Sequence, residues 1–206
     1  MEIKRAEKED IFEIASIFMD CFEKTVHHIF GKEIPKIEGM NDIFLFIFEI
    51  EPRCVFTAKE NNRVVGYLIC PRDVKRLWSL ALFKGYLFTW AWRWISGEYG
   101  FGIAPLRFLL FDKFHFISSS HNFRSTSLAQ ILSIAVIPEY RCNGVASRLM
   151  KVGLSYLKSL GVDEIKLEVR PENLAGKRLY EKIGFKEVGV TEDSQGKWIV
   201  MVYEFH

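Results

Sequence analysis

The chain lacks any pair of cysteines at metal-ligand or redox spacing: its four, Cys21, Cys54, Cys70 and Cys142, are scattered, with no CxxC among them. They read as reduced thiols in a cytoplasmic protein rather than as disulfides or a zinc site. It also lacks an excess of charge. Lys and Arg number 28 against 26 Asp and Glu, a net charge of +2, and no basic run occurs. Nothing in this balance supports nucleic-acid binding. The start, MEIKRAEKED, is charged where an export signal would be apolar, so no export is expected. Internal repeats and low-complexity linkers are missing too. The 206 residues therefore read as a single domain, 1–206, with room for one sizeable core.

What is present centres on Ile131–Leu160, ILSIAVIPEYRCNGVASRLMKVGLSYLKSL. Ile131 to Ile137 is an apolar run of strand length that Pro138 ends. A helical period then runs through Val145, Leu149, Val152, Tyr156 and Leu160, and Gly161 stops it. Between strand and helix stand Arg141, Cys142, Asn143, Gly144, Val145, Ala146 and Ser147. Small residues there keep side chains clear of the free N–H groups that open a helix, and Arg141 can add a charge-assisted hydrogen bond. Such a turn is an anion cradle suited to a phosphate or pyrophosphate, the helix dipole adding roughly 0.3–1 kcal/mol. Cys142 reads as a solvent-facing loop residue.

Elsewhere, Ile3 to Ala6 reads as a short strand, and Ile11, Ile14, Ala15, Phe18, Cys21 and Phe22 form one apolar helix face from about Glu9 to Phe22. A second amphipathic segment lies near Ile43 to Ile50, with His27 and His28 between the two helices as surface or packing residues. Cys54–Lys59 and Val64–Cys70 read as a hairpin turning at Glu60-Asn61-Asn62-Arg63. The next convincing strand begins near Ala129. A gap of about fifty-five residues is too long for a structureless loop in a compact domain, so 72–127 reads as an insertion with structure of its own.

Within it, Asp73 can cap a helix, and Leu77 to Ile95 is apolar almost throughout, carrying Trp78, Phe83, Tyr86, Phe88, Trp90, Trp92 and Trp94. At about 1.5–3 kcal/mol per large side chain, these seven represent on the order of 10–20 kcal/mol that full exposure would forgo. Lys84 and Arg93 oppose spanning a membrane. Packing on the domain's own sheet, a homodimer face, a peripheral membrane contact through 73–117 and a lid over an apolar acceptor all remain open. Pro105 to Ile117 reads as a second apolar helix folded back on the first, with His115 packed among its phenylalanines.

After the anion turn, Ile165 to Arg170 alternates as a strand, Asn173 caps a helix running to Ile183, and Gly184 ends it. Phe185–Val190 and Lys197–Phe205 read as the last two strands. The turn Arg-x-x-Gly-x-Ala at 141–146 and the block LEVRPENLAGKRLYEKIGF, Leu167 to Phe185, stand in register. Together they resemble the two motifs of the Gcn5-related N-acetyltransferase (GNAT) superfamily. The resemblance covers about Ile3–Cys70 and Leu128–His206. One departure is Gly176, where the family usually has alanine; the insertion is the larger one.

The resemblance implies an α/β (α+β) GNAT fold: a mixed, mostly antiparallel central sheet flanked by helices, with the aromatic-rich helical insertion between the third and fourth strands. It implies acetyl-CoA as co-substrate, no metal, and transfer to a primary amine of a small molecule or peptide by direct attack. A backbone N–H within Ile134, Ala135 and Val136 would hold the thioester carbonyl, the 141–147 turn the pyrophosphate, and Asn173 the coenzyme arm. Tyr180, seven residues beyond Asn173 and so about 10 Å along the helix, would donate a proton to the departing sulfur. Glu168 matches a glutamate assigned as base in ribosomal-protein N-terminal acetyltransferases of this superfamily, and water is the alternative base. The rival reading is a catalytically inactive CoA-binding regulatory or membrane-surface module. The residues do not name the acceptor or the acyl chain.

Overall fold

The computed structural model describes residues 1–30, 36–99, 128–193 and 196–205. In chain order the elements are β1 (Glu2–Arg5), α1 (Ile11–Cys21), α2 (Glu23–Phe30), α3 (Ile37–Ile50), β2 (Val55–Glu60), β3 (Arg63–Ile69), α4 (Val74–Phe83), α5 (Tyr86–Ile95), β4 (Gln130–Ile131), β5 (Ser133–Val136), α6 (Val145–Ser159), β6 (Glu164–Val169), α7 (Leu174–Ile183), β7 (Lys186–Asp193) and β8 (Gly196–Glu204). Two four-stranded sheets result, ordered β1-β2-β3-β5 and β4-β6-β8-β7. The β4–β6 pair is parallel and the others are antiparallel.

The two sheets meet in one interrupted strand. Gln130 and Ile131 pair with Lys166 and Leu167 of β6, whereas Ser133 to Val136 pair with Ile69 to Gly66 of β3. The run Ile131–Ile137, expected as one strand, is thus broken at Leu132. Its N–H donates to the Ile69 carbonyl at 2.9 Å, although Ile69 is already the register partner of Ser133. Two residues opposing one make a bulge, which bends the strand. Pairing with β6 stops there and the sheets diverge.

The core follows the helix periods with one exchange. On α1, Ile11, Ile14, Ala15 and Ile17 are buried, and Phe18 packs edge-on against Phe44 of α3. On α6, Val145, Leu149, Met150, Leu154 and Leu157 face inward, while Val152, expected inside, points out. Gly153 takes the inner place: a Cβ there would stand 2.4 Å from Leu68 Cδ2 and 3.1 Å from Cys70 Sγ. Absence of a side chain lets α6 lie directly on β3. His27 and His28, expected between helices, belong to α2, and His27 Nε2 lies 3.6 Å from Glu23 one turn back.

Within the segment expected as an insertion, the described residues form two helices rather than the single run Leu77–Ile95. Asp73 caps α4 by accepting the Arg76 N–H at 2.9 Å, and Gly85 turns the chain at φ +78°, a conformation that costs glycine nothing. Tyr86 and Trp90 of α5 set their rings 4.8 and 5.3 Å from Phe46 of α3. The Tyr86 hydroxyl donates to Glu49 at 2.6 Å, and Arg93 bridges Asp42 and Glu98 at 2.5 and 2.6 Å. The helix expected over Pro105–Ile117, with His115, lies outside the described residues. Among those described, no helix is long and apolar enough to cross a membrane.

Candidate active site

The divergence beyond Leu132 leaves β5 at the end of its sheet, with no strand on its far side among the described residues. Hydrogen-bond phase shows what that side offers. Ile137 N–H donates to the Val65 carbonyl at 3.0 Å. In an antiparallel ladder alternate residues face the partner, so Ala135 and Ser133 turn their backbone groups toward β3 as Ile137 does. The N–H groups of Ile134 and Val136 therefore point away from β3, into the gap between the sheets. An extended ligand can lie there as a strand would. Within the expected segment Ile134–Val136, Ala135 is the residue committed to the sheet.

One turn of 3-10 helix, Pro138–Tyr140, leads from β5 to the anion turn. Cys142 stands at φ +62° and Gly144 at +74°. Two left-handed residues on either side of Asn143, which is not at positive φ, curl the backbone so that neighbouring N–H groups can converge on an anion, as in a nest. No side chain caps α6 at Gly144. The first helical bond starts at Arg148, whose N–H donates to Gly144 at 3.0 Å, leaving Val145, Ala146 and Ser147 with N–H groups that lie before it. A Cβ on Gly144 would meet nothing within 4 Å. This turn fits a pyrophosphate: donors converge and space stands open before them. Arg141, Cys142 and Asn143 are exposed around it.

Arg141 is not simply held out to solvent. Its Nε donates to the Val136 carbonyl at 2.9 Å and its Nη2 approaches Cys21 Sγ at 3.5 Å. The Cys21 thiol lies 3.8 Å from the same carbonyl. The end of α1, the end of β5 and the anion turn are thereby fastened together. Cys21 entered the sequence reading only as part of an apolar face, because no local signal announces a contact across 120 positions. Tyr67, whose hydroxyl shares a 2.8 Å hydrogen bond with Ser133 at the start of β5, was missed for the same reason. Its burial drives its pKa far above the ordinary tyrosine value.

On the other sheet, Leu167 is the last β6 residue paired to β4. Glu168 is thus the first beyond it, at the mouth of the divergence, on the strand face opposite the buried Ile165, Leu167 and Val169. Its Oε1 lies 2.7 Å from Lys166 Nζ, both side chains being largely covered. Asn173 caps α7 through Oδ1, which accepts the Gly176 N–H at 2.9 Å. A Cβ on residue 176 would stand 2.8 Å from Asn173 Nδ2, so an alanine there would require the Asn173 amide to shift. Tyr180 is buried, with its ring 6.0 Å from that of Phe185. Burial pushes its phenol up to about 12. Among the described residues, no cluster of His, Cys, Asp and Glu could hold a metal ion.

A sheet parted at a bulged strand, with an uncapped helix start beside the gap, defines an α/β class with room for an extended, anion-headed ligand. Comparison makes it specific. The model of the Acetyltransferase (GNAT) family matches residues 11–185, and the chain belongs to that family. N-alpha-acetyltransferase 30 of Schizosaccharomyces pombe is 26% identical over 134 residues, 65% of this chain and 58% of that protein. An N-alpha-acetyltransferase of Saccharolobus solfataricus is 43% identical over 61 residues, 29% of this chain and 36% of that one. The chain thus spans about half the length, or less, of these two relatives. Among solved structures, yncA from Salmonella typhimurium, determined with its cofactor acetyl-CoA, shares the fold with a TM-score of 0.61 at 15% identity, over 100% of this chain and 94% of that chain.

Proposed function

We propose that the protein is an acetyl-CoA-dependent N-acetyltransferase that transfers the acetyl group to a primary amine by direct attack. The observation that carries this reading is the divergence of β5 from β6 immediately beside the uncapped start of α6. A long ligand with a strand-like arm and a pyrophosphate head needs these two features next to each other. The 141–147 turn binds the pyrophosphate, β5 the pantetheine, and the Asn173 amide the coenzyme arm.

Amide formation sets three demands: a neutral amine, a stabilised oxyanion and a proton for the departing thiolate. The thioester supplies the activated acetyl group. N–H groups of Ile134 and Val136, aimed into the gap, stabilise the oxyanion. Tyr180 keeps its proton at neutral pH, as a donor to sulfur must. Glu168, at the mouth of the gap, takes the proton of the amine directly or through water. The names of the two relatives make peptide α-amines the acceptor class to try first.

The test is calorimetric titration with acetyl-CoA of the intact protein, of Gly144→Glu, which fills the anion turn, and of Arg141→Ala, followed by mass-spectrometric assay of peptide acetylation. Micromolar binding is expected, lost in Gly144→Glu and weakened about tenfold in Arg141→Ala, with thermal melts confirming that both variants fold. No binding by the intact protein overturns the proposal. Binding without transfer to any amine leaves a coenzyme-binding module instead.

A further inference from the structure

The α4–α5 pair carries a surface that the acetyltransferase reading does not use. No residue of α5 is buried. Its inner side rests on α3 through Tyr86 and Trp90, which puts Phe88, Trp92 and Ile95, one helical stripe, on the far side at 75%, 71% and 78% exposure. Beside the Gly85 turn, Leu82 and Phe83 are 53% and 82% exposed. Apolar exposure of this density marks an interaction site.

Charge identifies the occupant. Val74 to Gly97 contains Lys75, Arg76, Lys84 and Arg93 and no Asp or Glu, so with a net charge of +2 overall the rest of the chain is net negative. Arg93 is held by Asp42 and Glu98, while Lys75, Arg76 and Lys84 are exposed. A second copy docked by this face would set cations against cations with no acid of the segment between them. Residues 100–127 bring Arg107, Lys113 and Arg124 against the single Asp112, so they offer no complementary charge either. An anionic lipid surface matches both halves of the pattern, acyl chains for the aromatics and head-group phosphates for the cations. Each helix has 10 residues, about 15 Å against a hydrocarbon core of about 30 Å, so the pair lies in the interface rather than crossing it.

We propose that the α4–α5 hairpin docks the protein on anionic bilayers, with Phe83, Phe88, Trp92 and Ile95 at the acyl boundary and Lys75, Arg76 and Lys84 at the phosphates. The full chain should sediment with phosphatidylcholine–phosphatidylglycerol vesicles and much less with phosphatidylcholine alone, and added salt should weaken the binding. Four of the five tryptophans lie in this segment, so their emission should shift to the blue on binding. Phe83→Ser/Phe88→Ser/Trp92→Ser should cut the partition coefficient at least about tenfold, and Lys75→Gln/Arg76→Gln/Lys84→Gln about tenfold or more. All these positions are exposed, and unchanged melting temperatures would show that both variants fold. Failure of the intact protein to sediment overturns the proposal; a dimer in analytical ultracentrifugation would then assign the face to a second copy. Sedimentation unaffected by either variant overturns it as well. The vesicle assay needs no coenzyme, so its outcome is separable from that of acetyl transfer.

Discussion

Burial raises the Tyr180 phenol to about 12, and the sign of that shift governs how a proton donor there behaves. A free tyrosine loses half its protons near pH 10. With a raised pKa the neutral, donating form persists well beyond that. The turnover number should therefore rise as the acceptor amine loses its proton and then stay level through about pH 10, with no falling limb from the phenol. Tyr180→Phe should lower it roughly a hundredfold while leaving acetyl-CoA affinity within a factor of about two. A pH–rate profile of both proteins, with calorimetry for affinity, decides the matter; unchanged turnover would remove Tyr180 from the chemistry. The same shift links to stability. A neutral form favoured in the folded state contributes fully below about pH 10, the unfolded value, and that contribution is lost as pH rises through about 12.

At the scale of elements, Gly153 shows how a helix can be placed by what one residue lacks. Its Cβ would stand 2.4 Å from Cδ2 of the fully buried Leu68, so the side chain or the helix would have to shift. Gly153→Val should destabilise the fold by about 1–3 kcal/mol through overpacking, read as a lower urea midpoint at unchanged slope. A stability equal to wild type would mean that α6 does not sit tightly on β3. This contact also marks the limit of reading the sequence. A hydrophobic period counts apolar side chains, so it chose Val152 for the inner face and passed over the glycine beside it. Elements bounded by local chemistry were legible: the Asn61-Asn62 turn, both residues at positive φ, the Asn173 cap, and Gly184 at φ +114° ending α7. The turn before α6 was legible because Pro138, Gly144 and the helical period that follows are neighbours in sequence. The break at Leu132 was not, since it depends on two partner strands, β3 and β6, lying far away along the chain. Nor was the division of the apolar run at Gly85, since an isolated glycine is tolerated in a helix interior and only the packing of α5 on α3 shows that it turns the chain here.

Taken whole, the molecule is two sheets joined through one interrupted strand, and a ligand in the gap would touch both. Among the described residues nothing in the backbone ladder continues the β4–β6 pairing, which stops at Ile131, so an extended ligand there adds a missing neighbour to β5 and ties the anion turn to it. Stabilisation by mass action should be correspondingly large. At a free acetyl-CoA concentration one hundred times its dissociation constant, the folded state gains about 2.7 kcal/mol, which for a chain of this size is an increase in melting temperature of roughly 5–10 °C. Gly144→Glu should abolish the increase. Hydrogen exchange should locate it: amides of Ile134, Val136 and the 141–147 turn should gain protection, while those of β1 and β2, on the far side of β3, should not. An increase in melting temperature with protection spread evenly over both sheets would instead place the coenzyme outside the gap. Protection at the turn alone would mean that the pyrophosphate is held without the strand-like arm, and transfer chemistry at β5 would lose its structural basis.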